Sequence, residues 1–339
     1  MNRGRWALGG LAVALAVVMV CATAVGTVGV PLSATGGALL RALGIPNGSD
    51  PQWDAIIVLV RLPRVLGAAL VGAALATAGA ALQALLRNPL ADAGLLGVSG
   101  GAGFGAVTAI GFGMAAQGVW WTPLFAVVGA LTAAALILGL SFRAGRLSVF
   151  TVLLAGIAVS AFFGAATSLV LTFVSRDSVL HFVFWAMGSL ASVRWDPLAL
   201  AAGPVLAGAA GLALAGRHLN LLLLGDVEAR SLGVDVVRTR LVLLVLVAVV
   251  TAGAVSVAGP VGFVGLMVPP MLRLLVGPDN RLLVPASALG GAVFLVVCDL
   301  LARVILPGQE ISVGIVTALV GAPYFLFLLL RRGAQEGAP

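Results

Sequence analysis

Six charged side chains fall within sixteen positions at 225–240, GDVEARSLGVDVVRTR: Asp226, Glu228, Arg230, Asp235, Arg238 and Arg240. Acids and arginines at this density can form ion pairs with a partner or with one another. They include no nucleophile beside a base and no metal-ligand set, so the chemistry on offer is docking and not catalysis. Almost everything around them is Ala, Leu, Val and Gly, so this island must sit in water and is the natural grip for a soluble partner. Gly225 and Asp226 can cap a helix whose first turn carries Glu228, favourable against the helix dipole. Gly233 is placed to end that helix in the left-handed conformation, and Asp235 then restarts one, with Arg238 a turn on. Two short helices flat against a membrane would make a charged knob; a plain solvated loop is the blander alternative.

Few other side chains carry chemistry. Asp299 and Arg303 stand one helical turn apart on one face. A charge at mid-bilayer costs roughly 2.5–3.5 kcal/mol on insertion scales, so a structural ion pair is expected there in preference to a proton relay. Arg61 lies at the end of an apolar span, where a guanidinium can take a carboxylate in bidentate fashion or simply snorkel to headgroups. Pro89 stops a span, and Asn88 can hold the backbone groups this frees. Cys21 and Cys298 both fall in apolar spans, far apart, and read as core thiols, with neither a disulfide nor a metal site indicated. His181 reads as a surface residue. All 19 basic residues are Arg; a Walker A loop uses Lys on the phosphates, so this chain has none, and any nucleotide chemistry must belong to another polypeptide.

The elements that must position these groups are membrane spans. The chain has 339 residues, 61% hydrophobic and 9% charged, where soluble domains carry roughly 25% charged residues. Apolar stretches of about 20 residues recur, each enough to cross a hydrocarbon core of about 30 Å as a helix. The reading is an all-α polytopic membrane protein, a single transmembrane domain over 1–339. About ten spans are expected, at 6–30, 62–86, 93–113, 120–141, 148–173, 196–215, 239–258, 262–276, 282–302 and 311–330, the eighth short and rich in Gly and Pro. The first is taken as an uncleaved span and not a signal peptide. Placing both termini in the cytoplasm puts thirteen arginines on that side against six opposite, together with the charged island. The net charge of +7 is explained by those loops and calls for no nucleic acid. Gly97, Gly101 and Gly105, with Gly72 and Gly79, offer small faces for close helix packing in lipid, hinges being the alternative. Residues 174–195 suit a short interfacial helix at about 177–190, with Trp185 and Trp195 at headgroup depth.

Several blocks, in order along nearly the whole chain, resemble the FecCD-type permease family. They are RLPR at 61–64, AGAALQALLRNPLADAGLLGVSGGAG at 78–103, LLAG at 153–156, LGDVEARSLGV at 224–234, GPVGFVGLMVPPMLRLLVG at 259–277, DLLAR at 299–303 and GIVTALVGAPYFLFLLL at 314–330. The family comprises membrane subunits of ABC importers for iron-siderophores, haem and cobalamin. The resemblance implies a cobalamin-importer-permease-like fold in a bacterial cytoplasmic membrane. It implies a second permease copy, identical or closely related, two ATP-binding subunits beneath and a substrate-binding protein above. ATP and Mg would be bound by the partner subunits, this chain holding no cofactor of its own. A ferric siderophore is the first expectation for cargo, then haem, then cobalamin.

The same resemblance assigns roles to residues. It makes Asp226, Glu228, Ala229, Arg230, Leu232 and Gly233 part of the coupling helices, at about 225–238, that seat in the ATPase. Arg61 and Arg303 match an outward-facing pair that receives carboxylates of the binding protein. Asn88 and Leu90, with Ser148 and Val149, match the two cytoplasmic gate segments. This chain departs from the family pattern at Val149, where a small polar residue is expected, at Pro270, where His usually follows Pro, and at Ser312, where Pro is usual. The rival reading is an ion-coupled secondary transporter working without an ATPase, which would need ion-binding groups near the bilayer midplane.

Overall fold

Lipid offers no hydrogen-bond partners, so each crossing segment must satisfy its own backbone, and a helix does so locally. The computed structural model describes residues 2–26, 29–42, 44–45, 53–92, 94, 97–143, 146–147, 149–306 and 308–336. Its helices in chain order are α1 (Asn2–Ala24), α2 (Leu32–Ala42), α3 (Leu62–Leu85), α4 (Val98–Gly111), α5 (Met114–Gln117), α6 (Trp121–Ser141) and α7 (Val149–Phe173). They continue with α8 (Arg176–Ala186), α9 (Trp195–Leu214), α10 (Gly216–Leu224), α11 (Asp226–Ser231), α12 (Val236–Ala258), α13 (Val264–Val276), α14 (Asn280–Val304) and α15 (Val313–Glu336). A π-helical segment, Ala55–Arg61, runs straight into α3. A two-residue antiparallel ladder pairs Phe142 with Leu147 and Arg143 with Arg146 between α6 and α7.

Seven of these helices are long and apolar enough to cross a membrane: α1, α3 with its π-helical lead, α6, α7, α9, α12 and α14. Three shorter apolar helices, α4, α13 and the first part of α15, complete ten, which is the number read from the sequence. The eighth is short as expected, bounded by Phe263 at φ 68° and Gly277 at φ 86°, with Pro269 and Pro270 inside it. Helix α4 is shortened too, its start set by Gly97 at φ 67°, and its brevity was not foreseen.

The spans α3, α12 and α14 are mostly buried, whereas α1, α7 and α9 turn most of their surface outward. Small residues set the closest approaches. A Cβ added at Gly72 would run into the Gly291 carbonyl, so α3 and α14 meet backbone to backbone there. Gly79 meets Gly265 of α13 in the same way, and Gly101 and Gly105 of α4 meet Gly129 and the Phe125 carbonyl of α6. These glycines are packing contacts, as small residues between lipid-embedded helices generally are.

The bundle has two polar ends. Helices α3 and α14 run antiparallel, so one end gathers Arg61, Arg64 and Arg303, and the other gathers Arg87, Asn280 and α11. Helix α1 starts beside Leu282 at the α11 end, where Gly4 touches that side chain, and finishes at the arginine end.

Candidate functional site

At the α11 end, the sequence builds a braced knob. Gly225 at φ 132° turns the chain out of α10 and starts the six-residue α11. The helix closes as foreseen: Gly233 lies at φ 83°, its N–H donates to the Arg230 carbonyl at 2.9 Å, and the Val234 N–H donates to the Ala229 carbonyl at 3.0 Å. That pair of bonds is a Schellman stop. Asp235 then caps the next helix by accepting the Arg238 N–H at 3.0 Å. The expectation of two short helices is corrected at this point, because the helix Asp235 starts is α12 itself, a full span. The apolar run from Leu241 leaves no reason for a break.

Asp226 does not cap α11 with its side chain. Its carboxylate instead takes the Arg240 guanidinium in a bidentate pair at 2.7 and 2.8 Å and Arg87 at 2.9 Å. Burial alone would raise the Asp226 carboxyl, but the hydrogen bonds and charge of Arg240, joined by those of Arg87, outweigh it and hold the group below its ordinary value. Arg87 also donates through Nε to the Leu222 carbonyl at 2.9 Å. The knob is therefore tied to the end of α3 and the start of α12, with Ala229 buried beneath it. Its outward surface mixes charge and apolar tips: Glu228 and Arg230 are exposed, as are Val227 at 76% and Leu232 at 60%.

Next to the knob, α3 stops at Leu85. The Asn88 N–H reaches the Gln83 carbonyl at 3.1 Å, and Asn88 Oδ1 accepts the Leu90 N–H at 2.9 Å, the backbone-holding role read from the sequence. Arg87 takes φ 48° at this turn. Of the other proposed gate segment, Ser148 lies outside the described residues and Val149 opens α7.

At the opposite end, Arg61 and Arg303 do not face outward. They are only 5% and 4% exposed, and both reach the unpaired carbonyls at the end of α1. One Arg61 nitrogen donates to Thr23 O at 3.0 Å and Ala24 O at 2.6 Å, and Arg303 donates to Val25 O at 3.2 Å. The expected Asp299–Arg303 pair is present at 3.1 Å. Asp299 also holds Arg64 Nε through both oxygens at 3.0 and 3.2 Å, and Arg64 continues to Glu310 at 2.8 Å. Sequence reasoning missed Arg64 and Glu310 as members of the cluster; the RLPR spacing, which brings Arg64 near the face of Arg61, was the available signal.

Helix α8 lies across this end. Ser175 caps it by accepting the Ser178 N–H at 3.2 Å. The helix ends at Ala186, short of the expected 190, because the chain then binds elsewhere: the Ser189 N–H donates to Ala258 O at 2.8 Å and the Gly314 N–H to Gly188 O at 3.2 Å. The Trp195 indole donates to Val58 O at 2.8 Å. Beside α8 opens a cavity of about 830 Å³ lined by Asp177, His181, Trp185, Arg194, Glu310 and Ser312 among others.

Seven apolar helices around a buried centre of three, with a braced knob at one end and a cavity and arginine cluster at the other, describe a multi-pass α-helical membrane protein. The chain belongs to the FecCD transport family, whose model matches residues 13–331. It is 43% identical over 311 residues to the hemin transport system permease protein HmuU of Yersinia pestis, covering 90% of this chain and 92% of that one. It is 45% identical over 283 residues to the cobalamin import system permease protein BtuC of Halobacterium salinarum, covering 83% and 75%. A solved structure described as an inward-facing conformation of a metal-chelate type ABC transporter matches with a TM-score of 0.85 and 32% identity, over 96% of this chain and 98% of that one. The family is one of ABC-importer permease subunits, not of ATPases.

Proposed function

We propose that the protein is the membrane subunit of an ATP-driven importer that moves a metal chelate into a bacterial cell across the cytoplasmic membrane. The observation that carries this reading is α11: a helix exposed to water, tipped by Val227, Glu228, Arg230 and Leu232 and braced through Asp226 onto two spans. In this reading two ATP-binding subunits, which hold ATP and Mg, seat on that knob in the cytoplasm, where both termini also lie. A second permease copy, identical or closely related, completes the translocation path. A substrate-binding protein delivers cargo to the arginine end, beside the cavity under α8. Docking on Arg61 and Arg303 then requires the end of α1 to yield its carbonyl contacts to the incoming carboxylates. Asn88 and Leu90, with Ser148 and Val149, close the path near the knob.

Relatives named for haemin and cobalamin move the cargo reading from a ferric siderophore towards a tetrapyrrole-held metal. The deciding experiment reconstitutes the complex in vesicles with its ATPase and binding protein. It then follows uptake of radiolabelled haemin, cyanocobalamin and ferrichrome in turn. ATP-dependent uptake of one of them supports the proposal. Uptake driven by a proton or sodium gradient with no ATPase present would establish the secondary-transporter reading instead. Asp299, the acid nearest that role, is held by two arginines, which disfavours it as an ion carrier.

A further inference from the structure

The knob has a second attachment, made by a residue outside the charged island. Helix α10 runs directly into α11 through Gly225. It lies so close to the start of α14 that a Cβ on Gly216 would stand 2.8 Å from Arg281 Cα and 2.9 Å from the Asn280 carbonyl oxygen. From α10, Asn220 reaches into the first turn of α14 with both ends of its amide. Its Nδ2 donates to Asp279 Oδ1 at 2.6 Å. Its Oδ1 accepts the Asn280 N–H and Asn280 Nδ2, each at 2.9 Å.

Asp279 in turn caps α14 by accepting the Arg281 N–H at 3.0 Å. A helix start leaves backbone N–H groups without partners, and here Asn220 supplies one acceptor and steadies the residue that supplies another. Asn280 is almost wholly buried, so water cannot readily replace what Asn220 gives it. The far end of α14 carries Asp299 and Arg303, and its middle is locked to α3 at Gly72 and Gly291. Thus Asp226 ties the knob to α3 and α12, and Asn220 ties it to α14.

Resting on the reading of α11 as the ATPase seat, we propose that Asn220 is a positioning residue that carries movement of the knob into α14 and so to the arginine cluster at the opposite end. The bond set predicts a specific pattern among variants. Asn220→Ala removes all three bonds. Asn220→Asp keeps the acceptors for Asn280 but sets a second carboxylate against Asp279, a like-charge contact in place of a hydrogen bond. Asn220→Asp combined with Asp279→Asn restores the 220–279 bond, because the introduced amide at 279 can donate to the introduced carboxylate, and it keeps both bonds to Asn280; it gives up the Arg281 N–H acceptor, since the same Asp279 oxygen, Oδ1, takes both Asn220 Nδ2 and the Arg281 N–H.

The test needs no cargo. Amide hydrogen exchange is measured over 280–284 and 301–306 in the permease–ATPase complex, with and without ATP trapped by vanadate. In the parent, trapping changes exchange at both ends of α14. In Asn220→Ala and Asn220→Asp the change over 301–306 falls by at least about threefold, while the amount of trapped nucleotide is unchanged. The swapped pair, which restores the link from α10 to α14 without that cap bond, recovers more of the response than Asn220→Asp alone shows. A parent-like change over 301–306 in Asn220→Ala would overturn the proposal and leave Asn220 a local brace only, as would a swapped pair no better than Asn220→Asp alone. A parent complex that traps no nucleotide, or shows no change on trapping, would instead remove the underlying reading of α11.

Discussion

Asp299 is a carboxylate almost without water, and its two arginines are equally enclosed. Removing the acid leaves two buried cations facing each other, so Asp299→Ala is expected to cost about 3–5 kcal/mol, read from unfolding in detergent. Glu310 holds the same Arg64 from a position one-third exposed, where solvent screens the pair, so Glu310→Gln should cost less than about 1 kcal/mol. Equal losses from the two variants would show that burial does not set the value of these pairs. Asp226 supports a prediction in pH. Its carboxyl is held below its ordinary value, so its ties stabilise the folded knob above the ordinary aspartate range and are lost as pH falls through the depressed value. Amide exchange over 225–235 should therefore stay slow down to the acid range and rise beneath it, whereas Asp226→Asn should be fast throughout. Of these residues, the Asp299–Arg303 pair was legible because one helical turn separates the two. The Arg64–Asp299 bond joins positions 235 apart, and only the fold brings them together.

Helix α3 shows what an element adds. Its small residues could be read from the sequence, but their partners could not, since Gly291 and Gly265 arrive from spans nearly two hundred positions or more away. Because the backbones already touch at Gly72 and Gly291, a larger side chain has no room without parting α3 from α14. Gly72→Val should cost about 1–3 kcal/mol or more and lower the yield of folded protein on gel filtration. Gly103, where an added Cβ meets nothing, should accept Ala without loss. A tolerated Gly72→Val would mean that the two spans are not packed as described. The seven long spans were legible because hydrophobic length alone defines a crossing, and the close of α11 was legible because Gly233 has a backbone preference of its own. The single short helix at the knob, in place of two, was not legible, since Asp235 caps a short helix and a long one alike. The burial of Arg61 and Arg303 was equally hidden: a guanidinium at a span end looks the same whether it meets a partner protein or the last carbonyls of a neighbouring helix.

At the scale of the whole molecule, two polar ends are joined through the buried spans α3, α12 and α14. The residues that brace α11 are physically separate from those its exposed surface offers to the proposed partner. Asp226 points inward to Arg240 and Arg87, whereas Arg230 is exposed and has no part in those ties. Arg230→Glu should therefore leave insertion, folding and the Asp226 pairs intact while reversing a charge on the surface proposed to seat the ATP-binding subunits. Like charges brought together at an interface cost several kcal/mol, and each 1.4 kcal/mol is about tenfold. ATP-driven uptake is expected to fall by about tenfold or more at unchanged membrane abundance, with part of the loss relieved at high salt, since exposed charges are screened. Leu232→Ser should weaken the same association with no such salt response, because an apolar tip is not screened. Normal uptake by Arg230→Glu, with the variant confirmed in the membrane, would remove α11 as the proposed seat of the ATP-binding subunits.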